Sequence, residues 1–448
     1  MDDLDKLRAV KQKLDSVGTG FCLLKWTQQT LYLQTGDNHS CYHPYPHKID
    51  IKDIQRTPSG LHNTAYKSKQ REMMLNKQRP PECSFCWNVE DSGHVSDRII
   101  NSANDMLQFE TIRNLKPTDD YNPSFIEVNF GNVCNFMCGY CTPTVSNSWI
   151  NDIKANGRFP VVSKQYDIDF IKDREYYESD DDSNPYVQAF WQWWPTLIKD
   201  LQTLRITGGE PMLNQNTWQL LDKLELEPAP HLTLLINSNL GVKPALIEKL
   251  SERVRTLLTK RAIKDYRMHV SLDTWGKPAE YIRWGLNCAE WEQNFKTIMN
   301  NFKDINASVE IMVTYNNLVL PSFNQLLKKI LEWRQVYGRR VEFITPHLKE
   351  PDHWSINILP TEFVKYIDAD IAFMKQHLNT GFSEVEIERL ERVRTHFVKN
   401  SLSLARELTA KADFYKFFTE HDRRRGSNFL ETFPEYQDFL LECKQHVK

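Results

Sequence analysis

Between residues 125 and 346, short runs rich in β-branched and aromatic residues alternate regularly with longer amphipathic segments. Strand-like runs fall at 125–130, 203–207, 232–236, 267–272, 308–314 and 341–345, and helix-like segments near 214–225, 243–257, 289–303 and 321–336. This alternation predicts a parallel sheet with helices outside it, since parallel strands need a long crossover whose apolar stripe must be buried. Six units fit before residue 346 rather than eight. The expected α/β fold is therefore a partial (β/α)6 barrel of the TIM type, open on one side to a large substrate. The acidic stretch "YYESDDDSNPY", residues 176–186, breaks the alternation and reads as a surface insertion. Beyond residue 355 the pattern is helical to the end. Three parts are expected: a small loop-rich unit over 1–115, the barrel over 120–350 and a helical extension over 351–448.

The bulk properties narrow the function. With 448 residues, 40% apolar and 26% charged, the chain has the composition of a globular enzyme large enough for more than one unit. A net charge of -3 provides no chain-wide basic field for a phosphate backbone, so nucleic acid is not supported as a partner. The N-terminal "MDDLDKLRAVKQKLDSVG" is charged and helical in pattern, without the apolar run of a signal or membrane segment, which predicts a cytoplasmic protein. Nine cysteines, an odd number, argue against a disulfide framework and leave metal binding as the use for clustered thiols.

The densest cluster is "NFGNVCNFMCGYC", which places Cys134, Cys138 and Cys141 in a CxxxCxxC spacing directly after the first strand of the barrel. From one loop, three sulfurs can face one centre. Four thiolates usually complete a cubane iron-sulfur cluster, so three leave one iron open. A structural zinc site closes with four ligands, and the loop contains neither a fourth cysteine nor a histidine. The motif resembles that of the radical S-adenosylmethionine enzymes. The resemblance implies that these three cysteines hold a [4Fe-4S] cluster, with S-adenosylmethionine on the open iron, and that Tyr140 lies near the adenine.

Further motifs follow in the order that family uses. "RITGGEPML" matches its GGEP element, implying that Gly208, Gly209 and Glu210 meet the cofactor's amino group; glycine also suits a tight strand-to-helix turn and close backbone approach. "LLINSNL" offers Asn237 and Ser238 at the mouth of the barrel. "HVSLDTWGKPAEYIRWG" places Ser271, Asp273 and Arg283 where the family meets the ribose or carboxylate, and a guanidinium suits a carboxylate. The bland reading of these residues is an Asp helix cap and a surface arginine. In "IMVTYNNL", Val313 or Tyr315 is expected near the adenine.

The N-terminal unit carries its own thiols. Cys83 and Cys86 form a CxxC knuckle in "PPECSFCWNVE", suited to zinc or iron-sulfur. Cys22 and Cys41 flank a strand pair, and a Lys/Arg-rich helical stretch, "AYKSKQREMMLNKQ", precedes the knuckle. This order resembles the SPASM or shortened "twitch" module of radical enzymes, although that module usually follows the barrel. The likeness is to phage-type twitch-containing radical proteins. It implies a second, auxiliary [4Fe-4S] cluster held by Cys22, Cys41, Cys83 and Cys86; without Cys22, one iron opens toward substrate. Cys41, His43, Cys83 and Cys86 would also make a four-ligand zinc set, the lesser alternative. Cys288 and Cys443 read as ordinary residues, and His43 and His47 as packing or capping groups.

Taken together, the resemblance implies an oxidoreductase-type enzyme that cleaves S-adenosylmethionine reductively and abstracts hydrogen from a substrate. Relatives of this kind commonly act on peptides or proteins, and others on nucleosides or small molecules. An external electron donor such as flavodoxin or ferredoxin is expected. The reading from another class is a non-catalytic zinc or iron-sulfur interaction protein on a degenerate scaffold.

Overall fold

The structure, a computed structural model, describes residues 3–169, 171, 176–179 and 181–447. Its strands are β1 (Gln28–Tyr32), β2 (Asp37–His39), β3 (His47–Lys48), β4 (Phe125–Asn129), β5 (Met137–Cys138), β6 (Thr203–Thr207), β7 (Ala229–Ser238), β8 (Ile263–Ser271), β9 (Arg283–Trp284), β10 (Ala307–Met312) and β11 (Val341–Ile344). The six strand-like runs become β4, β6, β7, β8, β10 and β11, hydrogen-bonded in that order and all parallel. Helices Gln215–Leu226, Pro244–Thr259, Cys288–Asn301 and Phe323–Tyr337 form the crossovers. The first crossover is longer and includes a helix the pattern did not single out, Pro185–Leu197, started by an Asn184 cap and a proline at its first position.

The sheet does not stop at β4. β1 lies parallel to β4 in register, Gln28 opposite Phe125 through Tyr32 opposite Asn129, and β2 and β3 continue antiparallel from it to give nine strands. The N-terminal residues thus contribute strands to the main sheet while keeping a core of their own. That smaller core holds Leu14, Phe21, Leu23, Trp26, Met74, Phe109 and Ile112, all buried.

The two faces of the parallel strands differ. One is apolar and closed by helices: Ile126, Val128, Leu204, Ile206, Leu234, Ile236, Met268, Val270, Val309 and Ile311 are fully or almost fully buried. Purely parallel sheets usually bury both faces in apolar contacts. Here the other face is polar and only partly covered. On it, Arg205 reaches the Glu127 carboxylate at 3.4 Å and donates from Nε to Asn237 Oδ1 at 3.0 Å, while His269 lies 3.4 Å from Glu310.

Residues 176–186, expected as a surface insertion, are built in at both ends; Asp180 lies outside the described residues. Gln34 donates to the Tyr176 hydroxyl at 2.8 Å, and the buried Asn184 caps its helix, leaving Glu178, Asp182 and Ser183 on the surface. The C-terminal residues fold into Val364–Gln376, Glu384–Lys399, Leu404–Arg425 and Gln437–Gln445. No helix among the described residues is long and apolar enough to cross a membrane.

Candidate cofactor site and a four-thiol cavity

The three-thiol loop leaves the C-terminal end of β4, and its backbone groups are held both within the loop and by the side chains of Asn147 and Trp149. Phe136 N–H donates to Cys134 Sγ at 3.4 Å, Asn147 Oδ1 accepts from Cys134 N–H at 3.0 Å, and Cys141 N–H donates to Cys138 O at 2.9 Å. Trp149 Nε1 also donates to Cys138 O at 3.0 Å. The C-terminal helix Leu404–Arg425 anchors behind this loop through Arg424 and Arg425, both paired with Asp152.

The GGE turn lies directly against the same loop. Gly209 N–H donates to Gly131 O at 3.1 Å and Glu210 N–H to Val133 O at 2.7 Å. Gly208 has φ +124°, and a Cβ there would stand 2.6 Å from both Asn129 Oδ1 and Gly131 O, so only glycine fits. The Glu210 side chain, 1% exposed, does not open outward. It accepts from Asn239 N–H at 2.7 Å, from Met212 N–H at 3.2 Å and from the Ser238 hydroxyl at 3.0 Å. Burial pushes its carboxyl up to about 7 despite those donors.

Arg283 is brought in by β9, which pairs antiparallel with β5 so that Cys138 stands opposite Arg283. Its guanidinium clasps Asp273 with two bonds of 2.8 Å and places Nη1 3.7 Å from Cys138 Sγ. Asp273 also accepts from the Tyr140 hydroxyl at 2.7 Å and from Thr314 N–H at 2.8 Å. Arg283, expected to face a cofactor carboxylate, therefore has a carboxylate partner within the chain. Cys138 is drawn below the ordinary thiol value by Cys141 and, after burial, by Arg283. Cys134 is pushed up to about 12, by burial and then by Cys138.

The other expected residues are distributed around this centre. Asn237 holds Arg205, and Ser238 braces Glu210. Ser271 ends β8 opposite Met312. Val313 and Tyr315 are fully buried in the core, their backbones bonded to Ile344 and Pro346. Asn239 was missed by sequence reasoning: its Nδ2 lies 3.7 Å from Cys134 Sγ and donates to Asn135 Oδ1 at 2.9 Å. The signal was its place in "NSNL", two residues beyond Asn237.

Cys22, Cys41, Cys83 and Cys86, up to 64 residues apart in the chain, line one small cavity of about 30 Å³ together with His43, Asp97 and Arg98. His43 Nε2 lies 2.7 Å from Asp97, and its ring packs on Phe85 with centroids 3.8 Å apart. Burial raises the thiols, Cys22 and Cys83 to about 12 and Cys86 to about 11. No group of three or more His, Cys, Asp or Glu among the described residues is arranged to hold a single metal ion. Cys288 and Cys443 are buried apart from both sets. A larger cleft, about 1450 Å³, opens at the opposite, N-terminal ends of β1, β4 and β6; none of the expected site residues lines it.

No protein-family model matches the chain, and no curated protein matches it. Solved structures resemble it in part. "Native anSMEcpe with bound AdoMet" is 14% identical, with 58% of this chain and 62% of that chain covered and a TM-score of 0.38. "Native anSMEcpe with bound AdoMet and Cp18Cys peptide" is 13% identical, with 57% and 60% covered and a TM-score of 0.36. The chain spans about three fifths of the length of these structures.

Proposed function

We propose that the chain is a radical S-adenosylmethionine enzyme: Cys134, Cys138 and Cys141 hold a [4Fe-4S] cluster with an open iron, and Cys22, Cys41, Cys83 and Cys86 hold an auxiliary one. The observation that carries this reading is the convergence of four separate motifs. The three-thiol loop, the GGE turn, the Ser238–Asn239 strand end and the Asp273–Arg283 pair come from β4, β6, β7 and the β8–β9 region, and they hydrogen-bond to one another. Thiolates at the end of a strand, with glycines permitting close approach, suit a cluster and a small-molecule ligand.

Held by Cys134, Cys138 and Cys141, the cluster would supply one-electron reductive cleavage of S-adenosylmethionine and with it the power to abstract hydrogen from a substrate. The chain's own residues provide placement and exclude water. Arg283 lays positive charge beside Cys138, and Asp273 fixes the direction of that guanidinium. Asn239 stands beside Cys134 Sγ. Gly208 and Gly209 leave the loop backbone bare, and Glu210 braces the turn from inside. The polar face carrying Glu127, Arg205, Asn237, His269 and Glu310 is the surface for the substrate, a peptide or protein side chain by the family's habit. The barrel form, the external electron donor and the three-part division belong to the same proposal.

One observation favours a second reading of the N-terminal cavity. His43 lines the cavity with Cys41, Cys83 and Cys86 and has Nε2 on the Asp97 carboxylate, as metal-bound histidines commonly do, so these four form the rival set, which a zinc ion would have to draw together because the described residues are not arranged around a single ion. Anaerobic reconstitution followed by metal analysis decides. About eight irons per chain and 5'-deoxyadenosine after dithionite support the proposal; about four irons with one zinc support the second reading; a colourless zinc protein without cofactor cleavage sinks the enzyme.

A further inference from the structure

The cleft at the N-terminal ends of β1, β4 and β6 is continuous with the polar face of the sheet. Gln28, Phe125 and Thr203, the first residues of those strands, line it. Strand residues two apart share a face, so Phe125 and Thr203 stand on the same face as Glu127 and Arg205. Tyr42 joins the two regions. It lines the cleft, and its hydroxyl donates to Glu127 at 2.7 Å and accepts from Arg205 at 3.4 Å. Glu127 in turn accepts from Thr207 Oγ1 at 3.1 Å, and Thr207 leads directly into the GGE turn that lies on the three-thiol loop. At about 3.3 Å per residue, the far end of β4 is about 13 Å from Phe125, a span that a short extended peptide covers.

The same cleft adjoins the four-thiol cavity. Leu24 and Asn101 line both, and Cys41 lines the cavity while the next residue, Tyr42, lines the cleft. A chain bound in the cleft therefore lies against the wall of one thiol set and at the start of the face that leads to the other.

The lining says what such an occupant is. At about 1450 Å³ the cleft exceeds the roughly 300–1,000 Å³ usual for small-molecule sites, and its walls are mostly polar where those are mostly apolar. The side chains of Gln28, Asn101, Asn104 and Gln192 make no hydrogen bond among the described residues, and each carboxamide offers the donor and the acceptor that a peptide group needs. Among the lining residues Asp105, Asp120 and Asp200 outnumber Lys199, which disfavours both a phosphate backbone and an acidic peptide.

We propose that this cleft docks a neutral or basic polypeptide segment, which reaches the polar face past Tyr42 from the N-terminal ends of the strands. The inference sharpens the peptide-substrate reading above and rests on it.

The test uses the full reconstituted chain and short synthetic peptides, acidic, neutral and basic, each carrying a fluorophore and a terminal benzophenone, with equally labelled oligosaccharides beside them. Neutral and basic peptides are expected to bind in preference to acidic ones, and their photo-cross-links to fall within residues 101–108, 120–125 or the helix Pro185–Leu197. Gln192→Arg, on an exposed position of that helix, should weaken binding about tenfold with the thermal unfolding midpoint unchanged. Asn104→Arg, also exposed, gives the same reading from the opposite wall if the first variant does not fold. Absence of peptide binding, binding of oligosaccharides alone, cross-links confined to the C-terminal ends of the strands, or affinity unchanged in a folded variant each overturns the inference. The same preparation is assayed for 5'-deoxyadenosine after dithionite. Cofactor cleavage without peptide binding overturns this inference alone; peptide cross-linked in the cleft of a chain that cleaves no cofactor overturns the radical reading and upholds the docking site.

Discussion

Arg283 and Cys138 stand opposite each other in a two-residue antiparallel ladder, and the guanidinium that touches the Cys138 sulfur at 3.7 Å is clasped twice by Asp273. A ligand-bearing loop and a residue 145 positions later are thus one unit. The ladder sets the loop's distance from β8, and the clasp sets the direction of the charge.

Among the described residues, breaking the clasp leaves the fully buried Asp273 with only Tyr140 and Thr314 N–H as partners. Arg283→Met is expected to cost about 3–5 kcal/mol, the usual penalty for removing one partner of a buried pair. Arg283→Lys keeps the charge but loses the fork, so the loss is smaller. Urea unfolding with matched slopes measures both. Equal stability of the Met variant and the wild type would show that the pair carries no load.

Glu210 links stability to pH. Its native value, about 7, lies above the ordinary 4.5, so the native state binds the proton more tightly than the unfolded chain does. The associated stability is fully present below about pH 4.5 and is lost as pH rises through 7, to a limit of about 3 kcal/mol. Glu210→Gln removes this slope, leaving a flatter stability curve between pH 4.5 and 7.5. Thermal unfolding across that range compares the two proteins.

Gly208→Ala forces a methyl group onto Gly131 O and Asn129 Oδ1, at a backbone angle that favours glycine. Iron bound by the three-thiol loop should fall while iron in the N-terminal cavity is unchanged. Iron counts on this variant and on a Gly208→Ala/Cys83→Ala double variant give the answer.

The two thiol sets should differ in what they control. Cys138→Ala should abolish formation of 5'-deoxyadenosine. Cys83→Ala should leave cofactor cleavage running while blocking product, because its cavity lies in the N-terminal unit and not on the loop. Equal product yield from the Cys83 variant removes the auxiliary centre from the mechanism.

The parallel strands were legible because their signal is local. "TLRIT" is β-branched or apolar at four of the five positions of β6, and nothing remote is needed to extend it. The helix Pro185–Leu197 was hidden because its tryptophans obscure the period, leaving the Asn184 cap as its clearest mark. The place of β1 was not legible either. "QQTLY" marks a strand, but its parallel pairing with β4 bridges 97 residues and depends on which edge the rest of the sheet leaves open.

The chemistry of the site divides the same way. The sequence by itself determined which residues of metal-binding type stand in which spacing, and that two glycines open the turn after β6, because these are properties of residue type and short range. Only the tertiary structure decided that Arg283 answers Asp273, that Glu210 turns inward to Ser238 and Asn239, and that four scattered cysteines share one cavity with His43 and Arg98. Those outcomes depend on which strand pairs with which and on where buried charge finds a partner, and both are settled by packing across the whole chain.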